Sequence, residues 1–260
     1  MSSIFIRQAI FILLLTTLNG LDKNVHICAI CLDPMENEFS IDAWGNRYHS
    51  YHEQEGVFCS SCSRIISEKI TKGGYHFPGG RFLCSLCQSS LIENEEDIHY
   101  SFLSVLKQLN SVGFMNIPKD LTISLINGRK LVELSSRQGK ECLKGFTLVE
   151  NGSSKRKTYR LFLLFGLPTI EFQAVLAHEL LHVWLLVNQV KMGETRIEGF
   201  CNLGSALILE NNDTKFAHIH LQSMNENPHP AYGDAYRSEM QQVQKIGWLK
   251  YIDNLLQLKQ

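Results

Sequence analysis

Three residues in the stretch "VLAHELLHVWLL" (175–186) have types and spacing suited to metal chemistry. His178 and His182 are four positions apart, so on a helix both imidazoles lie on one face and can reach a single zinc ion. Glu179 follows the first histidine, so its carboxylate lies beside the metal and can take a proton from water. This H-E-x-x-H pattern is typical of zinc peptidases. The alternative is an apolar helix with two satisfied core histidines.

A catalytic zinc of this type needs a third protein ligand. Glu198 precedes the apolar helical segment "GFCNLGSALIL", where a carboxylate is costly to bury unless it is paired or bound to metal. We therefore predict Glu198 as the third ligand, with Glu194, one turn earlier, as the second choice. Cys201, also on this helix, is interpreted as a small apolar packing residue.

Four further pairs of metal-binding residues lie near the N-terminus, in "CAIC", "HSYH", "CSSC" and "CSLC". A two-residue gap lets one tight turn present two ligands, so four pairs supply two tetrahedral zinc sites with no open position, which are structural. The predicted sites are Cys28, Cys31, His49, His52 and Cys59, Cys62, Cys84, Cys87. Disulfides are the alternative, but the paired histidines have no role in them. The pattern resembles a LIM domain, except that six residues separate His52 from Cys59, where two are usual.

The first twenty residues differ in character from the rest. "MSSIFIRQ" carries one arginine and precedes the apolar run "AIFILLLTTL", which predicts a signal peptide over residues 1–20 and a secreted or periplasmic protein. A buried or membrane-associated N-terminal helix is the alternative. No later segment is expected to span a membrane once the signal is cleaved. The net charge is −1 without a basic block, which argues against nucleic acid as a partner.

The coarse secondary structure predicts an α+β protein with two domains, 24–92 and 96–260. "IHYSFLSVLKQLN" has helical apolar spacing, "LTISLI" (121–126) is strand-like with a turn at "NGR", and "GFTLVE" with "KTYRLFLLF" suggests a hairpin. Helices are expected at about 169–190, capped by Thr169, and at about 195–210. Two further helical pieces break near Gly247. His218 and His220 alternate like a strand or short turn.

Several stretches together resemble one family: "FGLPTIEFQAVLAHELLHVWL", "IEGFCNLGSALIL" and "HPAYGDAYRSEMQQVQKIG", preceded by the LIM-like module. They are similar to the plant DA-one organ-size regulators, which are LIM-containing metallopeptidases activated by ubiquitin, and to their bacterial relatives. The resemblance covers about residues 24–258. It implies a zincin-like peptidase domain with Glu179 as base, zinc bound by His178, His182 and Glu198, and limited cleavage of protein substrates. The plant members carry ubiquitin-interacting motifs before the module, where this sequence has an apparent signal peptide. Ubiquitin activation is therefore not carried over, and the signal peptide favours a bacterial relative.

The resemblance also draws attention to residues outside the metal site. Tyr232 is a candidate donor to the oxyanion formed during attack, with His218 and His220 ranked below it. Asp234 is a candidate to orient a metal-binding histidine or to pair with Arg237, and the alternative is a turn that starts the last helix. Strand 159–165 either pairs with substrate or is a buried central strand.

Three functions remain open from the sequence. The first is an endopeptidase with one catalytic and two structural zinc ions, whose LIM-like module docks a protein partner. The second is a non-enzymatic adaptor on an idle peptidase fold. The third is a peptidase whose cleft is covered by the zinc module or by residues 88–120.

Overall fold

The chain folds into two units that meet in sequence between Ser90 and Leu91. This computed structural model describes residues 26–35, 38–55, 57–77, 80–135, 143–151 and 157–258. The predicted signal peptide lies outside the described residues. Each unit is mixed in secondary structure, and the described residues form an α+β protein, as the sequence predicts.

The N-terminal unit is built from short elements around a small core. Its described residues form three antiparallel hairpins, which pair β1 with β2, β3 with β4, and β5 with β6. Its core contains Cys28, Met35, Tyr48 and Ile65, all buried. The elements are β1 (His26–Ile27), β2 (Pro34–Met35), β3 (Phe39–Ile41), β4 (Arg47–His49), α1 (His52–Glu55), α2 (Glu68–Thr71), β5 (Gly74–Phe77), β6 (Arg81–Cys84) and α3 (Ser85–Gln88).

Hydrogen bonds tie the two halves of this unit together despite the long joint between His52 and Cys59. The buried carboxylate of Asp42 closes the β3–β4 turn and also accepts a bond from the backbone N–H of Ile65 at 3.1 Å. The indole N–H of Trp44 donates to the carbonyl of Cys62 at 2.6 Å. The six-residue spacer therefore does not separate the two halves into independent fingers.

The C-terminal unit packs helices against a three-stranded sheet. Strand β9 is central in the order β7-β9-β8, parallel to β7 and antiparallel to β8. Of the two interpretations of 159–165, the buried central strand is therefore correct, and β8 forms an edge of the described sheet. The elements are α4 (Glu95–Ser111), β7 (Thr122–Ile126), α5 (Gly128–Leu134), β8 (Gly145–Asn151), β9 (Lys157–Leu164), α6 (Thr169–Asn188), α7 (Glu194–Glu210), α8 (Lys215–Asn225), a π-helical turn (Pro230–Asp234), α9 (Ala235–Ile246) and α10 (Trp248–Leu256).

Helix α6 is the centre of this unit and carries the H-E-x-x-H residues. Among the described residues it is the one helix long and apolar enough to cross a membrane, but 72% of its most apolar window is buried inside the unit. Helix α7 packs closely on it, since a Cβ at Gly204 would lie 2.9 Å from the carbonyl oxygen of Ala177. This close crossing brings the polar residues of α6 and α7 together.

Local details differ from the sequence prediction at three places. Pro168, not Thr169, is the N-cap of α6 and makes no side-chain cap bond. The "NGR" turn is instead the start of α5, because the Asn127 side chain accepts a bond from the N–H of Lys130. His218 and His220 lie on helix α8 rather than on a strand or short turn. Their apolar neighbours fit either pattern over so short a segment.

Candidate metal centres

The three ligands predicted for a catalytic zinc converge between α6 and α7. Nε2 of His178 lies 3.2 Å from Nε2 of His182 and 3.3 Å from Oε2 of Glu198, and His182 and Glu198 are 3.9 Å apart. Ligands about 2.0–2.1 Å from a tetrahedral zinc are about 3.4 Å apart, so this triangle has the dimensions of one face of a zinc site. Glu194 is exposed one turn earlier.

Asn202 fixes the orientation of His178. Its amide oxygen lies 2.9 Å from Nδ1 of His178, and its amide N–H donates to the carbonyl of Tyr232 at 3.0 Å. Because an amide oxygen only accepts, the contact requires the proton on Nδ1, which leaves the Nε2 lone pair facing Glu198. The Nε2 lone pair of His178 and the carboxylate of Glu198 face each other, and a cation between them would stabilise this arrangement. Imidazole nitrogens and a carboxylate oxygen are ligands that zinc accepts.

The sequence assigned this orienting role to Asp234 as one possibility, and the structure contradicts it. Asp234 forms an ion pair with Arg237, the other predicted contact, and its side chain is largely exposed. Asn202 was not assigned a role from the sequence. Its position four residues after Glu198 was the available signal, because that spacing puts both side chains on the same face of α7.

The electrostatic environment of His178 depends on Glu198. Burial acts to lower the pKa of His178, but the hydrogen bond and the charge of Glu198 act in the opposite sense, and the net pKa is raised. Both side chains are almost fully buried, at 1% and 3% exposure. Without a metal, a proton therefore competes for the position between these two groups.

Glu179 lies under the start of strand β8. The hydroxyl of Thr147 donates to Oε2 of Glu179 at 2.6 Å, and a Cβ on Gly145 would lie 2.5 Å from Oε1. The carboxylate is thus held against the sheet, on the residue that follows His178, a predicted metal ligand. Neither Thr147 nor Gly145 was identified from the sequence, where both look like ordinary strand residues.

Cys201 joins the same cluster. Its Sγ and the imidazole nitrogens of His178 and His182 all lie within 4.8 Å of one another. Burial raises the pKa of its thiol well above the ordinary value, with the charges of Glu198 and Glu179 acting in the same direction. A neutral thiol agrees with the packing role predicted from the sequence, while its position also makes Cys201 a possible fourth ligand.

Tyr232 is buried in the π-helical turn, with its ring 4.8 Å from that of His229. It lines a cavity of about 50 Å³ together with Asn202 and His220. The other predicted histidine, His218, is exposed and faces Asp213. The structure links Tyr232 to His178 through its carbonyl and Asn202. Its role as an oxyanion donor stays a prediction.

The first Cys–His group of the N-terminal unit gathers Cys28, Cys31, His49 and His52, with all ligand atoms within 4.8 Å of one another. Sγ of Cys31 lies 3.4 Å from Nδ1 of His49, whose Nε2 contacts the carbonyl of Pro34 at 3.2 Å. Burial acts to raise the pKa of Cys28, but hydrogen bonds from the backbone and from Cys31 outweigh it and lower the pKa to about 6. A lowered pKa of this thiol favours the thiolate form that zinc binds.

The second group consists of four buried cysteines, Cys59, Cys62, Cys84 and Cys87. Sγ of Cys62 is 3.7 Å from Sγ of Cys84, close to the separation of about 3.8 Å for thiolates 2.3 Å from a tetrahedral zinc. The hydrogen bond from Cys62 is the largest influence on Cys59 and lowers its pKa to about 6. The seven described cysteines are all free, so the disulfide alternative has no support among them.

The fold and these sites define a class: a mixed α+β protein whose cysteine and histidine clusters are suited to hold zinc. Comparison with known protein families shows which of them this sequence resembles. Residues 117–222 match the DA1-like family, described as Protein DA1. The matched region contains the H-E-x-x-H helix and Glu198.

Two curated relatives come from Arabidopsis thaliana. Protein DA1-related 6 is 23% identical over 70% of this chain and 33% of its own length. Protein DA1-related 2 is 25% identical over 64% of this chain and 37% of its own length. The chain therefore spans about a third of the length of these relatives. No solved structure matches it.

Proposed function

We propose that this protein is a zinc-dependent endopeptidase, with a zincin-like catalytic unit at 96–260 and a LIM-like module at 24–92. The observation that carries the proposal is the triangle of His178, His182 and Glu198 donor atoms, 3.2–3.9 Å apart. Glu179 follows His178 in the sequence, and its charge acts on that histidine. Three protein ligands leave one position for water or substrate, which is the arrangement of a catalytic rather than a structural zinc.

In this mechanism Glu179 is the general base. Zinc, when bound, lowers the pKa of a coordinated water from about 15.7 to about 7 and polarises the substrate carbonyl. Glu179 takes a proton from the attacking water and delivers it to the amine that leaves. Tyr232 is the proposed donor to the oxyanion. The edge of β8, next to Glu179, is the proposed site where an extended substrate pairs through main-chain hydrogen bonds.

The module at 24–92 has a structural and docking role in this proposal. Two closed sites, Cys28, Cys31, His49, His52 and Cys59, Cys62, Cys84, Cys87, each hold one zinc, so that the full complement is one catalytic and two structural ions. The hydrogen bond from the backbone N–H of Ile65 to Asp42 joins the two halves of the module. In this proposal the joined halves present one surface to a protein partner. A secreted or periplasmic location and a bacterial source belong to the same proposal.

The test is cleavage of a proteome-derived peptide library, read out by mass spectrometry, with wild type, Glu179→Gln and the zinc-stripped protein. We expect cleavage by the wild type, a loss of about 10²–10⁴-fold in Glu179→Gln, and no cleavage after stripping. Glu133→Gln, at an exposed glutamate on α5, is the matched control and should behave as wild type. Cleavage equal in wild type and Glu179→Gln would contradict the mechanism.

Cys201 favours one second candidate, a non-enzymatic adaptor. If its thiolate joins His178, His182 and Glu198, the site has four protein ligands and no position for water, as in structural zinc sites. Cys201→Ala separates the two functions. The peptidase proposal expects three zinc ions per chain and unchanged cleavage. The adaptor expects a third zinc that binds far more weakly, with no cleavage in either protein.

A further inference from the structure

The side chain of Glu179 is held by two residues of strand β8 that face it from the sheet. Thr147 donates its hydroxyl to Oε2 at 2.6 Å, and the same hydroxyl lies 3.3 Å from the backbone carbonyl of Glu179. An O–H···O bond of this length to a carboxylate is charge-assisted and stronger than a neutral one. Thr147 therefore fixes one carboxylate oxygen of Glu179.

The space around the second oxygen, Oε1, is shaped by Gly145. A Cβ added to Gly145 would lie 2.5 Å from Oε1 and 2.9 Å from Cγ of Glu179, closer than real Cβ atoms come to other heavy atoms. Gly145 and Thr147 are two positions apart on one strand, so their side chains point to the same face of the sheet. Glycine at 145 thus makes the space that the Glu179 carboxylate fills.

We propose that Gly145 and Thr147 are positioning residues that set the carboxylate of Glu179 for proton transfer. This inference rests on the proposed function, in which Glu179 is the base. A general base is effective only if its free lone pair points at the water it deprotonates, and a misplacement of about 1 Å can cost about 100-fold in rate. Thr147 binds Oε2 and so limits the rotation of the Glu179 carboxylate.

The position of these residues also connects the base to the substrate. Strand β8 pairs with β9 along one side and forms an edge of the described sheet on the other. A peptide that adds to this edge would contact the same strand that carries Gly145 and Thr147. The contact to Glu179 therefore lies on the element that receives the substrate in the proposed mechanism.

The experiment compares Thr147→Val, Thr147→Ser and Gly145→Ala by two independent measurements. The first is the titration of the Glu179 carboxyl carbon by NMR in protein labelled at glutamate, with the signal assigned by its absence in Glu179→Gln. The second is kcat, KM and the pH profile for a peptide cleaved in the library assay. Thr158→Val on β9 is the matched control, because Thr158 bonds to the carbonyl of Glu150 instead.

Thr147→Val should raise the titration point of Glu179 and lower kcat about 10–100-fold, with KM and zinc content unchanged. Thr147→Ser keeps the hydroxyl and should restore both readouts to near wild type. Gly145→Ala should lower kcat by pushing the Glu179 side chain aside. A titration point and kcat that both stay at wild-type values in Thr147→Val would overturn the proposal. A shifted titration point in a protein that cleaves nothing would retain the contact and reject the peptidase function.

Discussion

The amide oxygen of Asn202 lies 2.9 Å from Nδ1 of His178 and thereby determines which imidazole nitrogen faces Glu198. A hydrogen bond of this kind to a metal-binding histidine fixes the ring and raises its basicity, and its loss typically costs 10–100-fold in metal affinity. Asn202 also donates to the carbonyl of Tyr232, so it links α7 to the π-helical turn. The position of the ring therefore depends on elements on both sides of the site.

Asn202→Ala should weaken binding of the third zinc about 10–100-fold, measured by competition with a chromophoric chelator. The third zinc is defined as the one missing from His178→Ala. Asn202→Asp keeps an acceptor at the same place and should retain the metal. Asn188→Ala on α6, whose side chain bonds to the carbonyl of Trp184, is the control. An unchanged affinity in Asn202→Ala would show that the contact does not support the metal site.

The raised pKa of His178 predicts how the third zinc responds to acid. Zinc binds the neutral imidazole, so below the pKa a proton competes and affinity falls about tenfold per pH unit for each proton displaced. Because Glu198 raises this pKa, the decline should begin above pH 6.5, the ordinary histidine value. The measurement is the same chelator competition in steps from pH 8 to pH 5, corrected for protonation of the chelator. A decline that starts only below pH 6.5 would rule out the shift.

The raised pKa of His178 makes the zinc-free fold more stable at low pH, whereas it makes zinc binding weaker there. A histidine whose pKa is higher in the folded than in the unfolded state stabilises the fold fully below the unfolded value. The contribution is then lost as pH rises through the folded value. Removal of zinc should therefore lower the free energy of unfolding more at pH 8 than at pH 6.

Apolar periodicity predicts much of the secondary structure of the C-terminal unit. The structure confirms the predicted helices α4, α6, α7, α9 and α10 and the β8–β9 hairpin. A period of 3.6 or 2 is a property of the chain itself, so it can be read without tertiary contacts. The order of the strands in the sheet cannot be predicted in this way, because the apolar run at 159–165 fits a central strand and an edge strand equally well.

The residues around the candidate metal site were harder to predict than its candidate ligands. Histidines four apart are visible in the sequence, whereas Thr147 meets Glu179 only because β8 and α6 pack together, 32 positions apart in the chain. Gly145 carries no chemical group, and its importance arises from the atoms that fill the space above it. Such contacts depend on tertiary packing, which one sequence without its structure does not reveal.

A buried ion pair next to β8 gives a prediction about stability. Nζ of Lys144 lies 2.5 Å from Oε1 of Glu171, with side chains 11% and 3% exposed. Lys144→Met would leave the Glu171 charge buried without this cation, and should lower the free energy of unfolding by about 3–5 kcal/mol. The measurement is urea unfolding of the zinc-loaded protein.

Two variants test whether this loss comes from the buried charge. Lys144→Met combined with Glu171→Met removes both charges and should recover most of the stability. Lys130→Met breaks an exposed pair with Glu133 and should change the free energy of unfolding by less than about 1 kcal/mol. If Lys144→Met costs no more than Lys130→Met, the pair does not contribute as proposed.

Removal of zinc from the N-terminal unit should unfold that unit. Its core cluster contains few buried residues, and Cys28 among them is itself a predicted ligand, so metal binding should supply much of its folding free energy. Cys59→Ser should abolish amide protection in residues 26–90, measured by hydrogen exchange, and leave protection from Leu91 onward intact. His178→Ala should lose the third zinc while both units stay protected, because the large core around α6 folds without the metal. Persistent protection of residues 26–90 in Cys59→Ser would mean that the module folds without its second zinc.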